Sequence, residues 1–172
     1  MTMNESWGYN PTDTHYKSAR QLIHSLCEVA GRGGNLLLNV SPRGDGTLPP
    51  EQAERLRVVG EWMRAHGESV TGTTAGLEPW QFYGPSTRRG DRVYLHLLMR
   101  PYDSVTVRGV PIKRVRSVQA LATGTDLRHT TRTGIIDSLT EDPHGELTIE
   151  VPAHLVDANA TVVAVDLSPP GS

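Results

Sequence analysis

Cysteine is nearly absent from the 172 residues of this chain. Cys27 is the only one, so no disulfide can form within the chain and no metal site can be built from several cysteines. Aromatic residues are also scarce, at 5%, although single-stranded nucleic acids are bound by stacking on aromatic side chains. The net charge of -2 gives no basic surface, so we expect no nucleic-acid partner.

Long apolar runs are absent as well. No segment has the length of apolar sequence that a membrane helix needs, and we expect no membrane partner. The first residues lack the basic segment and apolar core of a secretory leader, but any leader of a longer parent chain would lie upstream, so localisation stays open between secreted and cytoplasmic. The seven histidines show no close metal-ligand spacing, and the sequence predicts no metal site and no other cofactor.

A short apolar segment at residues 35–40 organises the first part of the chain. It is bounded by glycine and proline and does not alternate, which predicts a strand buried on both faces. A helical pattern precedes it at residues 15–30, and another runs from Pro49 and Pro50 to Gly67. Helix, buried strand and helix in this order favour a parallel α/β sheet or barrel. The polar loop at residues 41–48 leaves the strand at its C-terminal end, where such folds place binding sites.

Both predicted helices have an apolar face. In the first helix we expect Cys27 to be a small buried filler beside that face, Asp13 or Thr14 to cap the N-terminus and Gly31 to adopt a left-handed C-cap. The apolar face comprises Ala19, Leu22, Ile23, Leu26, Val29 and Ala30. In the second helix we expect Trp62 on the flank of the apolar face. That face comprises Ala53, Leu56, Val59, Gly60 and Met63.

The hydrophobic pattern of the sequence changes at about Gly76, where short alternating segments replace helical periodicity. In the clearest segment, residues 93–99, valine and leucine point one way while Tyr94 and His96 point the other. Segments of this kind with regular turns indicate an antiparallel sandwich, and we expect the boundary with the first domain within residues 71–79. Further strands are predicted at residues 105–107, 147–151 and 163–167, with weaker candidates at 114–122 and 127–133.

Several motifs in one order resemble a known family. They are Ser-Trp-Gly-Tyr-Asn at residues 6–10, Tyr-Lys-Ser at 16–18, Gly-Gly-Asn-Leu-Leu-Leu-Asn-Val at 33–40 and Gly-Asp-Gly-Thr-Leu-Pro-Pro at 44–50. In this order they resemble the closing part of the catalytic barrel of α-L-fucosidases, glycoside hydrolase family 29. The resemblance is dense over residues 1–74 and looser over the rest of the chain.

The resemblance implies a chain of class α/β plus all-β. Residues 1–74 would hold the last strand–helix units of a (β/α)8-type barrel, and residues 75–172 would form an antiparallel β-sandwich. It also implies a retaining hydrolase that releases terminal α-L-fucose from glycans, with a fucosylated glycan or a small α-L-fucoside as partner. In the family the nucleophile and the acid/base precede the Trp-Gly-Tyr motif, so we expect no catalytic residue in this chain. Alone it is predicted to be inactive, as the C-terminal piece of a fucosidase.

From the residues alone, Trp7 is expected to pack in the core; the resemblance implies instead that it forms an aromatic wall beside the fucose ring. Asn39 and Ser41 would lie at the C-terminal end of the last barrel strand, where structural hydrogen bonding is an equal alternative. Among the nearby carboxylates, Asp45 is predicted to be a turn residue, and Glu5 is either solvated or faces the mouth of the pocket. Two other interpretations stay open: a non-catalytic carbohydrate-binding or interaction module, and a half that complements a separate N-terminal piece of the barrel.

Overall fold

The computed structural model describes residues 1–169, so the last three residues of the predicted second domain lie outside the described residues. The described part contains the helices α1 (Ala19–Gly31) and α2 (Pro50–His66). The strands that follow are β1 (Thr74–Ala75), β2 (Ser86–Arg89), β3 (Arg92–Leu97), β4 (Ser104–Pro111), β5 (Val115–Ala120), β6 (Thr125–Asp126), β7 (His129–Arg132), β8 (His144–Glu150) and β9 (Thr161–Leu167).

Helix α1 begins with a capping box at Ser18. The Ser18 hydroxyl accepts a hydrogen bond from the Gln21 amide at 3.1 Å, and the Gln21 side chain accepts one from the Ser18 amide at 2.8 Å. The predicted cap at Asp13 or Thr14 is therefore wrong by four to five residues. Cys27 is fully buried, as predicted, and burial raises the pKa of its thiol to about 12.

The C-terminus of α1 also differs from the prediction. Gly31 is its last helical residue, and the left-handed backbone lies two residues later, at Gly33 with φ of 75°. Gly31 is needed for space instead, because a Cβ there would lie 2.8 Å from the Cβ of Pro85. The predicted glycine is thus a close-approach residue that lets the segment before β2 contact the helix.

Helix α2 starts at Pro50, as predicted, but its buried face is rotated from the predicted one. Ala53 is exposed, whereas Gln52, Trp62 and His66 are buried. Trp62 is 2% exposed, and its indole N–H donates to the carbonyl of Ala160 at 2.8 Å. Trp62 therefore anchors the helix instead of lying on its flank.

The second part of the chain is an antiparallel sandwich. A six-stranded sheet has the order β1-β2-β3-β9-β5-β6, and a three-stranded sheet has the order β4-β8-β7. Their facing sides enclose a core that includes Leu95, Val107, Leu147, Ile149 and Val163. The predicted strands, including the two weaker candidates, all form.

The larger sheet is buried on both faces. Its second face presents Tyr94 and Val162 to α1 and α2, where they join Ile23, Cys27 and Trp62 in a second apolar cluster. His96 on this face is also fully buried. The alternation in residues 93–97 therefore separates two buried environments, and the helices cover the side that alternation alone would assign to solvent.

Residues 35–40 do not form the predicted buried strand. Leu37 is 76% exposed, and within the described chain the segment makes a single parallel bridge, between Thr2 and Asn39. The Asn39 amide donates to the Met1 carbonyl at 2.8 Å, so residues 1–3 are its neighbour on one side. A strand buried on both faces needs neighbours on both edges and covering layers, and the described residues supply one short neighbour.

The fold class is nevertheless as predicted, α/β plus all-β. The segment at residues 35–40 pairs in parallel and lies between two helices, and the antiparallel sandwich follows it. Within residues 1–169, neither helix combines the length and the apolar character that crossing a bilayer requires.

Candidate functional site

Trp7 lies on a loop, and hydrogen bonds to its backbone carbonyl attach this loop to Asn39 and Ser41. Its indole is 67% exposed, while its carbonyl accepts hydrogen bonds from the side-chain amide of Asn39 at 2.6 Å and from the hydroxyl of Ser41 at 3.4 Å. The structure thus brings together Trp7, Asn39 and Ser41, the residues predicted at this site. Asn39 and Ser41 hold the tryptophan in place, and the indole ring is left open to solvent.

Ser41 ties this arrangement to helix α2. Its side chain and backbone are 1% exposed, and its amide donates to the side-chain oxygen of Gln52 at 2.9 Å. Gln52 is fully buried in the first turn of α2. Gln52 belongs to no motif, and its only signal in the sequence is that of a polar residue in the first turn of a helix that begins at Pro50.

Asp13 organises the loop that carries Trp7. Its carboxylate accepts hydrogen bonds from the amides of Ser6 at 2.7 Å, Glu5 at 3.1 Å and His15 at 3.3 Å. Hydrogen bonding from Ser6, foremost from its side chain, together with these amides, holds the pKa of Asp13 below its ordinary value. Asp13 is therefore an ionised brace inside the loop instead of the predicted helix cap.

Two carboxylates and a histidine lie close together at Asp13. Glu5, Asp13 and His15 each offer one ligand atom, and these atoms lie within 4.8 Å of one another. Sequence spacing alone did not indicate this cluster, because the turn at residues 10–13 closes it. Glu5 and His15 are exposed, and three amides already bind the oxygens of Asp13, so the cluster fits a loop-stabilising role. Asp45 is the turn residue that was predicted, accepting from the amide and hydroxyl of Thr47.

A cavity of about 250 Å³ opens beside the loop. Two arginines flank the cavity: Arg43 lies over the ring of Tyr9, with 5.8 Å between guanidinium carbon and ring centroid, and Arg55 of α2 lies over Tyr16 at 5.2 Å. Arg55 also donates to the carbonyls of Lys17 at 2.6 Å and of Glu51 at 2.8 Å. These contacts fix the aromatic rings beside the cavity and connect the loop to α2.

The comparisons with known proteins point in one direction. A family model described as Alpha-L-fucosidase matches residues 1–68. An Alpha-L-fucosidase of Dictyostelium discoideum is 32% identical over 121 residues, which are 64% of this chain and 25% of that protein.

Solved structures match almost the whole chain. Alpha-L-fucosidase isoenzyme 1 from Paenibacillus thiaminolyticus superposes with a TM-score of 0.83 at 32% identity, over 98% of this chain and 39% of that one. The Thermotoga maritima alpha-fucosidase in complex with a mechanism-based inhibitor gives a TM-score of 0.77 at 31% identity, over 96% of this chain and 38% of that one. The chain thus spans well under half the length of each relative. The motifs, the fold and these matches agree: the chain matches the Alpha-L-fucosidase family model over residues 1–68 and is similar over almost its whole length to solved alpha-L-fucosidases.

Proposed function

We propose that this chain supplies one wall of the fucoside-binding site of an α-L-fucosidase, an enzyme that releases terminal α-L-fucose from glycans with retention. The observation that carries the proposal is the exposed indole of Trp7, held through its carbonyl by Asn39 and Ser41 within the segment that matches the family model. The apolar face of a sugar ring packs well on a fixed aromatic side chain.

We further propose that bond cleavage depends on carboxylates outside these residues. Retaining glycosidases need a nucleophile and an acid/base about 5 Å apart. The pair in the described residues that comes near this spacing at the site is Glu5 and Asp13, and Asp13 is committed to three backbone amides. A carboxylate bound in this way is a poor nucleophile, so the 172-residue polypeptide alone is expected to be inactive.

The partner we propose is the N-terminal part of such a barrel. Residues 35–40 are extended, carry an exposed Leu37, and make one bridge within the described chain. A further strand beside them would satisfy their free backbone groups. In this proposal residues 1–74 complete the barrel, and residues 75–172 form a separate sandwich domain around the core between its two sheets.

A chimera tests the binding role directly. The stretch of the Paenibacillus thiaminolyticus enzyme that superposes on this chain is replaced by residues 1–169, and hydrolysis of an aryl α-L-fucoside is measured. We expect the chimera to turn over substrate and the Trp7→Ala variant to lose about tenfold to a hundredfold in kcat/KM, because the stacking surface is lost.

The matched control is Trp80→Ala, which removes an equally exposed indole from the sandwich. We expect it to leave kcat/KM for this small substrate unchanged. Equal kcat/KM for the Trp7→Ala chimera and the parent chimera, with both folded by circular dichroism, would show that Trp7 does not contact the sugar.

A further inference from the structure

A second exposed tryptophan, Trp80, lies on the sandwich, far along the chain from Trp7. Trp80 is 65% exposed, yet its ring edge lies over Gly109, where an added Cβ would come within 2.6 Å of the indole carbon Cη2. Gly109 sits at the bulge of β4 with φ of 61°. Trp80 belongs to none of the family motifs, and the binding wall proposed above does not use it.

The turn that carries Trp80 is tied to β4 by hydrogen bonds. The Gln81 side-chain amide donates to the carbonyls of Arg108 and Gly109, both at 3.2 Å, and the Arg108 amide donates to the Gln81 carbonyl at 2.9 Å. The Gln81 side-chain oxygen in turn accepts from the amide of Glu78 at 3.0 Å. These bonds fix the backbone beside Trp80, which lowers the ordering entropy that binding a ligand would otherwise have to offset.

Beside this ring, the outer face of the three-stranded sheet presents a row of charged side chains. Glu146 on β8 lies in register with Arg108 on β4 and with Arg132 on β7. Its carboxylate oxygens lie 3.4 Å from Arg108 Nε and 2.5 Å from Arg132 Nη2. In the next row Thr106 and Thr148 bring their hydroxyls to 3.3 Å from each other.

A groove of about 500 Å³ runs along this face, within the range of ligand sites. Arg108, Gly109 and Glu146 line it from the sheet, and Arg132, Asp137 and His144 complete its wall. Two arginines against two carboxylates leave the groove without a large excess of either charge. That balance disfavours phosphates and nucleic acid, which need uncompensated cations, and it suits a neutral ligand.

We propose that this groove and Trp80 form a second saccharide-binding site for a neutral oligosaccharide. The indole stacks against the apolar face of one sugar ring. Arg108 and Arg132 donate to hydroxyls of the next ring, and Glu146 accepts from them, since a sugar hydroxyl both donates and accepts. A polar outer face is ordinary for an antiparallel sheet; what sets this one apart is the exposed indole of Trp80, whose ring lies against Gly109 in the lining of the groove. The site goes beyond the proposed function, since it neither needs the barrel nor uses Trp7.

The test is saccharide titration of the full 172-residue chain. The probes are 2′-fucosyllactose and lactose, and binding is followed by the chemical shifts of backbone amide N–H groups in two-dimensional NMR. We expect saturable shifts of the amide resonance of Gly109, which lies under the Trp80 ring and lines the groove, about tenfold weaker binding in Trp80→Ala, and retention of most of the affinity in Trp80→Phe, which keeps a stacking ring. Glu146→Gln, which keeps the side chain's size, is expected to weaken binding severalfold.

Tyr102→Ala, which removes an exposed aromatic ring elsewhere on the sandwich, is the matched control. Unchanged affinity in Tyr102→Ala together with the loss in Trp80→Ala supports the sandwich site, whatever the outcome of the chimera assay. The proposal is overturned by an absence of saturable shifts at 50-fold excess over a roughly millimolar dissociation constant, or by binding that Trp80→Ala leaves intact. Thermal unfolding of each variant checks that it is folded.

Discussion

His96 lies at the interface between the six-stranded sheet and the helices, and its ring cannot be protonated there without cost. Its side chain is fully buried, and Nε2 lies 3.1 Å from the Thr87 hydroxyl. That hydroxyl donates to the Ser69 carbonyl, so it accepts from His96, which assigns the ring proton to Nε2. Nδ1 has no hydrogen-bond partner among the described residues. Burial, and next the neighbouring His66, lower the pKa of His96 to about 4.

The lowered pKa makes stability depend on pH in a definite direction. The unfolded chain keeps the ordinary histidine pKa near 6.5, so stability is fully present above pH 6.5 and falls as the pH drops toward 4. We expect His96 to account for a loss of about 2 to 3 kcal/mol in unfolding free energy between pH 7.5 and pH 4.5. Urea denaturation at the two pH values measures it. His66, whose pKa burial also lowers, adds to the effect despite Asp157 at 3.7 Å.

Two variants separate His96 from the carboxylates that also titrate at low pH. His96→Gln is expected to flatten the difference between pH 7.5 and pH 4.5, although it lowers stability at both. His154→Gln, at an exposed position, should keep the parent's pH dependence. An unchanged pH dependence in His96→Gln would contradict this assignment.

Cys27 offers a second test at the scale of one residue. Because it is fully buried and its pKa is raised to about 12, the folded protein has almost no accessible thiolate at pH 8. We expect no reaction with Ellman's reagent in native buffer within an hour, and one equivalent at once in 6 M guanidinium chloride. Rapid reaction in native buffer would mean that α1 does not cover this position.

At the scale of the element, α2 is held to the sheet through Trp62. The indole is 2% exposed and donates to the buried carbonyl of Ala160. We expect Trp62→Ala to lower the unfolding free energy by about 3 to 5 kcal/mol, and Trp62→Phe by about 1 to 3 kcal/mol, since the phenyl ring fills part of the space but leaves the carbonyl without its donor. Urea denaturation measures both.

The exposed Trp80 provides the comparison for this element. We expect Trp80→Ala to change stability by less than about 1 kcal/mol. If Trp62→Ala were no more destabilising than Trp80→Ala, then α2 would contribute little to the folded state, and the apolar cluster between the helices and the sheet would need a different account.

Local sequence patterns predicted the positions of the helices and strands better than they predicted which side chains are buried. The helices appear where helical spacing put them, and the strands appear where alternation put them, because these periods reflect backbone geometry. The buried face of α2 was misplaced because Gln52 and His66 are polar residues that point inward, toward Ser41 and Asp157. Periodicity counts only apolar positions, so such residues rotate the true face away from the predicted one.

The prediction of a strand buried on both faces at residues 35–40 is wrong for a different reason. The apolar run of this segment is that of a doubly covered strand, yet a strand needs neighbours that are far away in the sequence. Within the described chain Thr2 is the one bridge partner. At the candidate site, the motifs singled out Trp7, Asn39 and Ser41, which the structure brings together and whose role in sugar binding stays a prediction. The brace at Asp13 and the link through Gln52 depend on a loop closure that spacing alone does not reveal.

On the scale of the whole molecule, the sandwich buries its apolar side chains within the chain, whereas the loop with Trp7 and the segment with Leu37 do not. The sandwich closes its own core between two sheets, and α1 and α2 cover the outer face of the larger sheet. The loop with Trp7 and the extended segment with Leu37 keep large apolar side chains exposed. Exposed apolar surface of this kind marks a binding surface, which fits a wall awaiting the rest of a fucosidase barrel.

The most direct test of this account is the rate of aryl α-L-fucoside hydrolysis by the purified 172-residue chain alone, with the active chimera assayed beside it. We predict no turnover above the buffer background for the chain alone. Turnover that persists through purification and disappears in Glu5→Gln or Asp13→Asn would contradict the account, because the bond-cleaving carboxylates would then lie within these residues.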